Sequence, residues 1–232
     1  MSKHHAIGTY ISSRETLWGF VYMAFQLLAL SPLLVWANAQ LDAPLTKAEL
    51  NFTFYIINFI AILLIFQNFL GNSLGYATSH LVQLLEAVIL GYVFYQICFR
   101  LLDFLVKLVY PAFTNYNDEA ILAMKQGNFF LMALGTVVLV PPVEECFFRG
   151  LIFRNLYPSS KWAAYAVSIL AFAVIHILGY IGIYSPVELL LAVLQYLPAG
   201  LCLAWSYARA DTIFAPILIH AAINATAIGL IL

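Results

Sequence analysis

Apolar residues in this chain occur in long, nearly unbroken runs separated by short polar stretches. They do not alternate as in a strand, nor form the single stripe of a soluble helix. About 20 mostly apolar residues suffice for a helix to cross a bilayer. Runs of that kind cover 17–36, 52–69, 81–110, 128–156, 163–181, 187–207 and 213–232. The pattern predicts an all-α, polytopic membrane helix bundle with about seven transmembrane helices, within a range of six to eight. The third run is too long for one crossing. Arg100, Asp103 and Lys107 near its end stand at i, i+3 and i+4 spacings, which predicts an amphipathic tail leaving the membrane, stopped by Pro111. The most polar stretch, 112–126, contains Asn115, Asn117, Asp118 and Glu119. It divides the chain into a three-span accessory region, 1–126, and a four-span region, 127–232. No internal repeat is visible.

Composition agrees with this reading. The chain of 232 residues is 64% hydrophobic and 9% charged, whereas soluble domains are about 25% charged. The expected surroundings are membrane lipid. A net charge of -1 argues against a nucleic-acid partner, which needs a basic surface. Cys98, Cys146 and Cys202 all lie in apolar runs and read as buried small side chains. The first run lacks a cleavage site and reads as a retained helix. His4 and His5 read as ordinary terminal residues. Lys3, Arg14, Arg154, Lys161 and Arg209 fall on one side of the predicted topology, against Lys47, Lys107 and Lys125 on the other. The bias predicts a cytoplasmic N-terminus.

Against this background the stretch PPVEECFFRG, residues 141–150, stands out. Charges at membrane depth are costly and mark function. Three predicted helices carry such groups: Glu144, Glu145 and Arg149 on one, His176 on the next, and His220 with Asn224 on the last. With a rise of about 1.5 Å per residue, Glu144 lies roughly 15 Å from Arg154, His176 roughly 22 Å from Lys161, and His220 and Asn224 roughly 14 and 20 Å from Asp211. The groups therefore reach similar depths. Glu145 and Arg149 are spaced i, i+4, in the favourable order for an ion pair. Glu144 is rotated about 100° from Glu145 and is free to face the histidines. Pro141 and Pro142 should free the carbonyls of Val137 and Val138 and kink the helix just before the acids. Free carbonyls at membrane depth imply a water-containing cavity. Glu86 and Glu188 read as unpaired interfacial residues.

A carboxylate and an imidazole can activate a water as general base, while a second imidazole and an amide stabilise an oxyanion. Glu144, His176 and His220 could equally hold a zinc ion with a water in the fourth position. The residues leave both mechanisms open. HExxH, GxSxG and a Gly-rich phosphate loop are all absent.

Three segments together resemble one family. EECFFR resembles EExxxR, FAVIH resembles FxxxH and HAAIN resembles HxxxN. These are motifs of the CPBP family of intramembrane proteases, which includes the type II CAAX prenyl endopeptidases and many bacterial Abi-type proteins. The resemblance implies a four-helix catalytic core that cuts peptides in or beside the bilayer. It implies Glu144 as the catalytic glutamate supported by Glu145 and Arg149, His176 as its partner in activating water, and His220 and Asn224 as oxyanion donors. On a metal-dependent view His220 is instead a metal ligand, so the cofactor is either zinc or none. Eukaryotic relatives cut prenylated C-terminal tripeptides; prokaryotic ones are linked to bacteriocin immunity and peptide processing. The short chain without eukaryotic targeting features points to a bacterial cell membrane. The expected substrate is a peptide or protein with an apolar segment.

Two other functions compete. A non-catalytic bacteriocin-immunity or peptide-binding protein would not need all four of Glu144, His176, His220 and Asn224. An ion-coupled transporter would use similar residues but commonly shows repeats. The position of Glu144 and His220 also predicts a cavity that opens towards the Arg154, Lys161 and Arg209 side.

Overall fold

Capping boxes set where three of the helices begin. Ser12 with Glu15, Thr46 with Glu49 and Ser185 with Glu188 each pair a hydroxyl with the glutamate three residues on. Each box satisfies two backbone donors that a helix start leaves free. Asn128 and Ser160 cap two further starts through their side chains. The computed structural model describes residues 9–231, apart from the side chains of Asn117, Asp118, Leu122, Met124, Lys125 and Gln126. Lys3, His4 and His5 lie outside the described residues.

The helices, in chain order, are α1 (Ser13–Asn38), α2 (Lys47–Ile65), α3 (Gln67–Ser79), α4 (Leu81–Val109), α5 (Tyr116–Gly127), α6 (Phe129–Leu156), α7 (Lys161–Ile175), α8 (Pro186–Ala210) and α9 (Phe214–Ala227). Five of them, α1, α2, α4, α6 and α8, are long and apolar enough to cross a membrane. The other two apolar helices, α7 and α9, have 15 and 14 residues. All seven predicted runs thus contain an apolar helix, but two are shorter than predicted. The fifth run ends at Ile175 with His176 as its C-cap, and the chain then turns through Leu178–Tyr180. The last ends at Ala227, with Gly229 at φ 74° soon after.

Two helices were not anticipated. Helix α3 is too rich in Gly, Asn, Ser and Thr to register as an apolar run, yet it buries Phe69, Ser73 and Ala77 at i, i+4 and i+8. The polar stretch read as a linker forms α5. Helix α4 ends as expected before Pro111, and Lys107 pairs with Asp103 at 2.8 Å. Glu86 and Glu188, read as unpaired, both have partners. Arg209 donates to Glu86 at 3.3 Å, and Glu188 completes the α8 capping box.

Helix α4 shows how the bundle faces lipid and core. Val82, Ile89, Val93 and Ile97 point outward and are exposed, while Leu84, Ala87, Gly91 and Tyr95 are buried. Small residues on the inner face allow close helix approach where lipid provides no hydrophobic drive. A Cβ on Gly91 would stand 2.6 Å from Ile219 Cδ1 of α9. The first half of the chain shares its core with the second: Ile62, Phe66 and Phe69 pack in one cluster with Phe147, Leu151 and Leu203.

Arg154 Nε donates to the Thr9 carbonyl at 3.0 Å, so the chain enters at the end of the bundle where α6 finishes. That Arg154 end also holds α3, tied to the turn between α8 and α9 where Thr212 Oγ1 donates to the Ser73 carbonyl at 2.9 Å. The opposite end holds α5 and the turn after α7, joined where Tyr180 donates to the Tyr116 carbonyl at 3.3 Å.

A buried carboxylate locks the N-terminal helices together. Glu15 is 4% exposed. Its Oε2 accepts from Ser12 and its Oε1 accepts the Phe69 N–H at 2.8 Å. That N–H sits in the first turn of α3, where no helical acceptor exists. Glu15→Ala leaves it buried and unpaired, at a cost of about 1–3 kcal/mol. A lowered melting temperature in detergent checks this; an unchanged one contradicts it.

Candidate active site

Helix α6 departs from α-helical geometry on both sides of the acids. Leu134–Leu139 is π-helical, Val140–Glu145 is α-helical and Cys146–Phe153 is π-helical again. The prolines explain the first change. Val140 N–H bonds to the Gly135 carbonyl, five residues back. In that register the next carbonyl, Thr136, would take its hydrogen from residue 141, which is proline and has none. Asn224 Nδ2 fills the gap, donating to the Thr136 carbonyl at 2.7 Å. The carbonyl that a side chain fills is that of Thr136, one residue before the Val137 and Val138 carbonyls that the α-helical register implied. π segments inside helices are frequent at functional sites.

The two adjacent glutamates face different partners. Glu145 and Arg149 are both fully buried, and Arg149 Nη1 donates to Glu145 Oε1 at 3.1 Å. Arg149 Nη2 donates to the Gly200 carbonyl of α8 at 3.1 Å, and the guanidinium lies 4.6 Å from the Phe172 ring centre. His220 Nδ1 meets the same Glu145 Oε1 at 2.8 Å. Glu144 Oε2 instead lies 3.7 Å from His176 Nε2 and 3.9 Å from His220 Nε2. It is buried and accepts no hydrogen bond from the described residues.

The ring nitrogens can be assigned from their partners. His176 Nδ1 is 2.7 Å from the Phe172 carbonyl, which can only accept, so Nδ1 carries a hydrogen. His220 Nδ1 likewise donates to Glu145. Both Nε2 atoms are left to face Glu144. The rings are also held by aromatic neighbours. Tyr196 stacks on His176 at 4.3 Å and 25°, and Phe172 meets His220 edge-on at 5.7 Å.

His176, His220 and Asn224 line one cavity of about 300 Å³, together with Tyr95, Phe99 and Gln195. Glu144 lines a second, smaller cavity of about 50 Å³ on its other side. The carboxylate thus reaches both imidazoles from between two spaces, instead of sharing one pocket with them. The larger cavity is also lined by Asn115, Ile121 and Ile228, which belong to the α5 end. This corrects the expected direction of access, which pointed towards Arg154, Lys161 and Arg209. The expectation ranked depth from Glu144 and His220. It could not include helix α5, whose Ile121 lines the cavity.

A zinc ion bound at about 2.0–2.2 Å in a tetrahedron brings its ligand atoms to about 3.3–3.6 Å from one another. The separations from Glu144 Oε2 to the two Nε2 atoms exceed this. Among the described residues no three His, Cys, Asp or Glu side chains are arranged to hold a metal. The set as it stands does not fit the ion.

Sequence reasoning did not find Tyr196, Thr136 or Gly200. Phe172 was within reach, since it opens the quoted FAVIH and lies one helical turn before His176. Tyr196 carried no signal, being one aromatic residue in an apolar helix.

Residues 126–226 match the family model described as type II CAAX prenyl endopeptidase Rce1-like. The matched segment covers all three motifs and less than half of the chain, in agreement with the resemblance drawn from the motifs. Neither the curated proteins nor the solved structures provide a match.

Removing one member of a buried ion pair strands the other, at about 3–5 kcal/mol. Glu145→Gln removes the counter-charge of Arg149 and leaves only a neutral carbonyl to accept from His220. The expected result is a clear loss of folded yield and melting temperature. A variant as stable as the parent would contradict the role given to this pair.

Proposed function

From a chain whose residues 126–226 match the Rce1-like type II CAAX prenyl endopeptidase family, we propose an intramembrane endopeptidase with Glu144 as general base. The observation that carries this reading is the unpaired Glu144 Oε2 facing two imidazole Nε2 atoms whose Nδ1 atoms are already engaged. Region 127–232 acts as the four-helix catalytic core and region 1–126 as its support.

A water between Glu144 and His176 gives a proton to the carboxylate and a hydrogen bond to the ring nitrogen. Its oxygen attacks the peptide carbonyl. His220, entering the reaction as the imidazolium with a second proton drawn from solvent at Nε2, donates to the oxyanion and keeps that proton throughout. Asn224 spends one amide hydrogen on Thr136 and offers the other. Glu144 then passes its proton to the departing amine as the carbon–nitrogen bond breaks. Donors already aimed at the developing charge need no reorganisation.

The substrate is a peptide or protein with an apolar segment, because Tyr95, Phe99, Phe172 and Ile223 line the larger cavity beside the polar groups. With the N-terminus cytoplasmic, as the Lys and Arg distribution suggests, that cavity meets the extracytoplasmic leaflet.

Glu144→Gln should keep the melting temperature, since Oε2, the oxygen facing the imidazoles, takes no hydrogen bond from the described residues. Cleavage should fall on the order of 100–10,000-fold. The check is turnover of a quenched apolar peptide in proteoliposomes. Full turnover by the variant would remove Glu144 from the mechanism. Tight binding without cleavage by the parent would favour a peptide-binding protein.

A further inference from the structure

The small cavity beside Glu144 is not used by the mechanism above. It is lined by Gln26 of α1, by Phe54, Tyr55 and Asn58 of α2, and by Leu139, Val140, Val143 and Glu144 of α6. Gln26, Tyr55 and Asn58 lie outside the segment that matches the protease family. All three bring polar atoms into otherwise apolar spans, where such groups are expensive unless they serve a purpose.

Local structure aims these groups inward. Gln26 opens a π-helical segment, Gln26–Leu30, and Leu139 closes another, Leu134–Leu139. The two irregular segments flank the same space. Asn58 is fixed, accepting from Tyr22 Oη at 3.0 Å and donating to the Phe54 carbonyl at 2.8 Å. Tyr55 packs its ring against Gly135, where a Cβ would stand 2.5 Å from Cδ2. A larger residue at position 135 would push the ring away, so the glycine permits this close seat.

We propose that this cavity is the water port of Glu144, resting on the hydrolytic reading above. A volume of about 50 Å³ exceeds the roughly 10–15 Å³ that one water needs. A buried water also needs two to four polar partners. The Glu144 carboxylate, the Gln26 and Asn58 amides and the Tyr55 hydroxyl supply that chemistry. The buried, unpaired Glu144 Oε2 is an acceptor without a donor. Substrate and water then approach the carboxylate from opposite sides. A peptide filling the larger cavity, which His176, His220 and Asn224 line, would not shut off the nucleophile's supply. Helices α1 and α2 thereby gain a direct part in catalysis.

The test is hydroxyl-radical footprinting by X-ray radiolysis of the full chain in nanodiscs, which labels side chains beside bound water. Tyr55 should label within tenfold of the exposed Tyr10, and at least tenfold faster than the lipid-facing Phe94. Gln26→Leu should reduce Tyr55 labelling about fivefold or more. It should also lower kcat about tenfold with KM unchanged, at an unaltered melting temperature. Tyr55 labelling no faster than Phe94 would show a dry cavity and overturn the proposal, with no variant needed. Lost labelling with unchanged kcat would overturn it too, because water would then arrive by the larger cavity. If no peptide is cut at all while Tyr55 labels strongly, the water site stands and the protease reading falls.

Discussion

A fully buried guanidinium governs the arrangement of the second half of this protein. Arg149 is fully buried among phenylalanines and cannot shed its charge. Its surroundings must therefore supply a counter-charge, an acceptor and a polarisable face. Glu145 gives the first, the Gly200 carbonyl the second and Phe172 the third. These partners come from α6, α8 and α7, so one side chain fixes the mutual position of three helices. The same Glu145 oxygen holds His220 of α9, which brings in the fourth. A buried pair of this kind is weak evidence for stability, but breaking it is costly. What it contributes here is orientation.

Backbone irregularity contributes the rest. A straight α-helix through 129–156 would leave open only the carbonyls of Val137 and Val138, opposite Pro141 and Pro142. The π register ahead of Pro141 leaves the Thr136 carbonyl open, and Asn224 closes the gap. Helix α9 is therefore pinned to α6 at two points one turn apart, at His220 and at Asn224. Helix α7 ends early, so that His176 caps it and turns its Nδ1 back to Phe172. Two short helices and one irregular one thus carry the groups around Glu144, while the long regular spans α4 and α8 frame them.

Much of this arrangement is written locally in the chain. The apolar runs located the seven apolar helices because bilayer thickness imposes a length that composition reveals. The i, i+4 spacing of Glu145 and Arg149 announced their pairing, and the rotation between adjacent residues set Glu144 apart. Legibility failed where tertiary contacts decide. Helix α3 exists because its Phe69, Ser73 and Ala77 stripe finds a surface at the Arg154 end, a fact its polar composition conceals. The end of α7 at Ile175 depends on the turn that follows, not on any breaker within the apolar run. The direction of the larger cavity was misjudged because α5 looked like a linker. Gln26, Tyr55 and Asn58 gave no sign of facing Glu144, since residues more than 80 positions away cannot be placed by periodicity alone.

On the function proposed above, water activated by Glu144 attacks the peptide bond directly. A single turnover in water enriched in oxygen-18, with enzyme in excess over an apolar peptide, separates this from attack by the carboxylate followed by hydrolysis of the anhydride at the Glu144 carbonyl. Mass spectrometry then follows the label. Direct attack places one heavy oxygen in the new C-terminal carboxylate of the product and none in the enzyme. A product without label, together with a heavy oxygen in the enzyme fragment containing Glu144, would contradict the account.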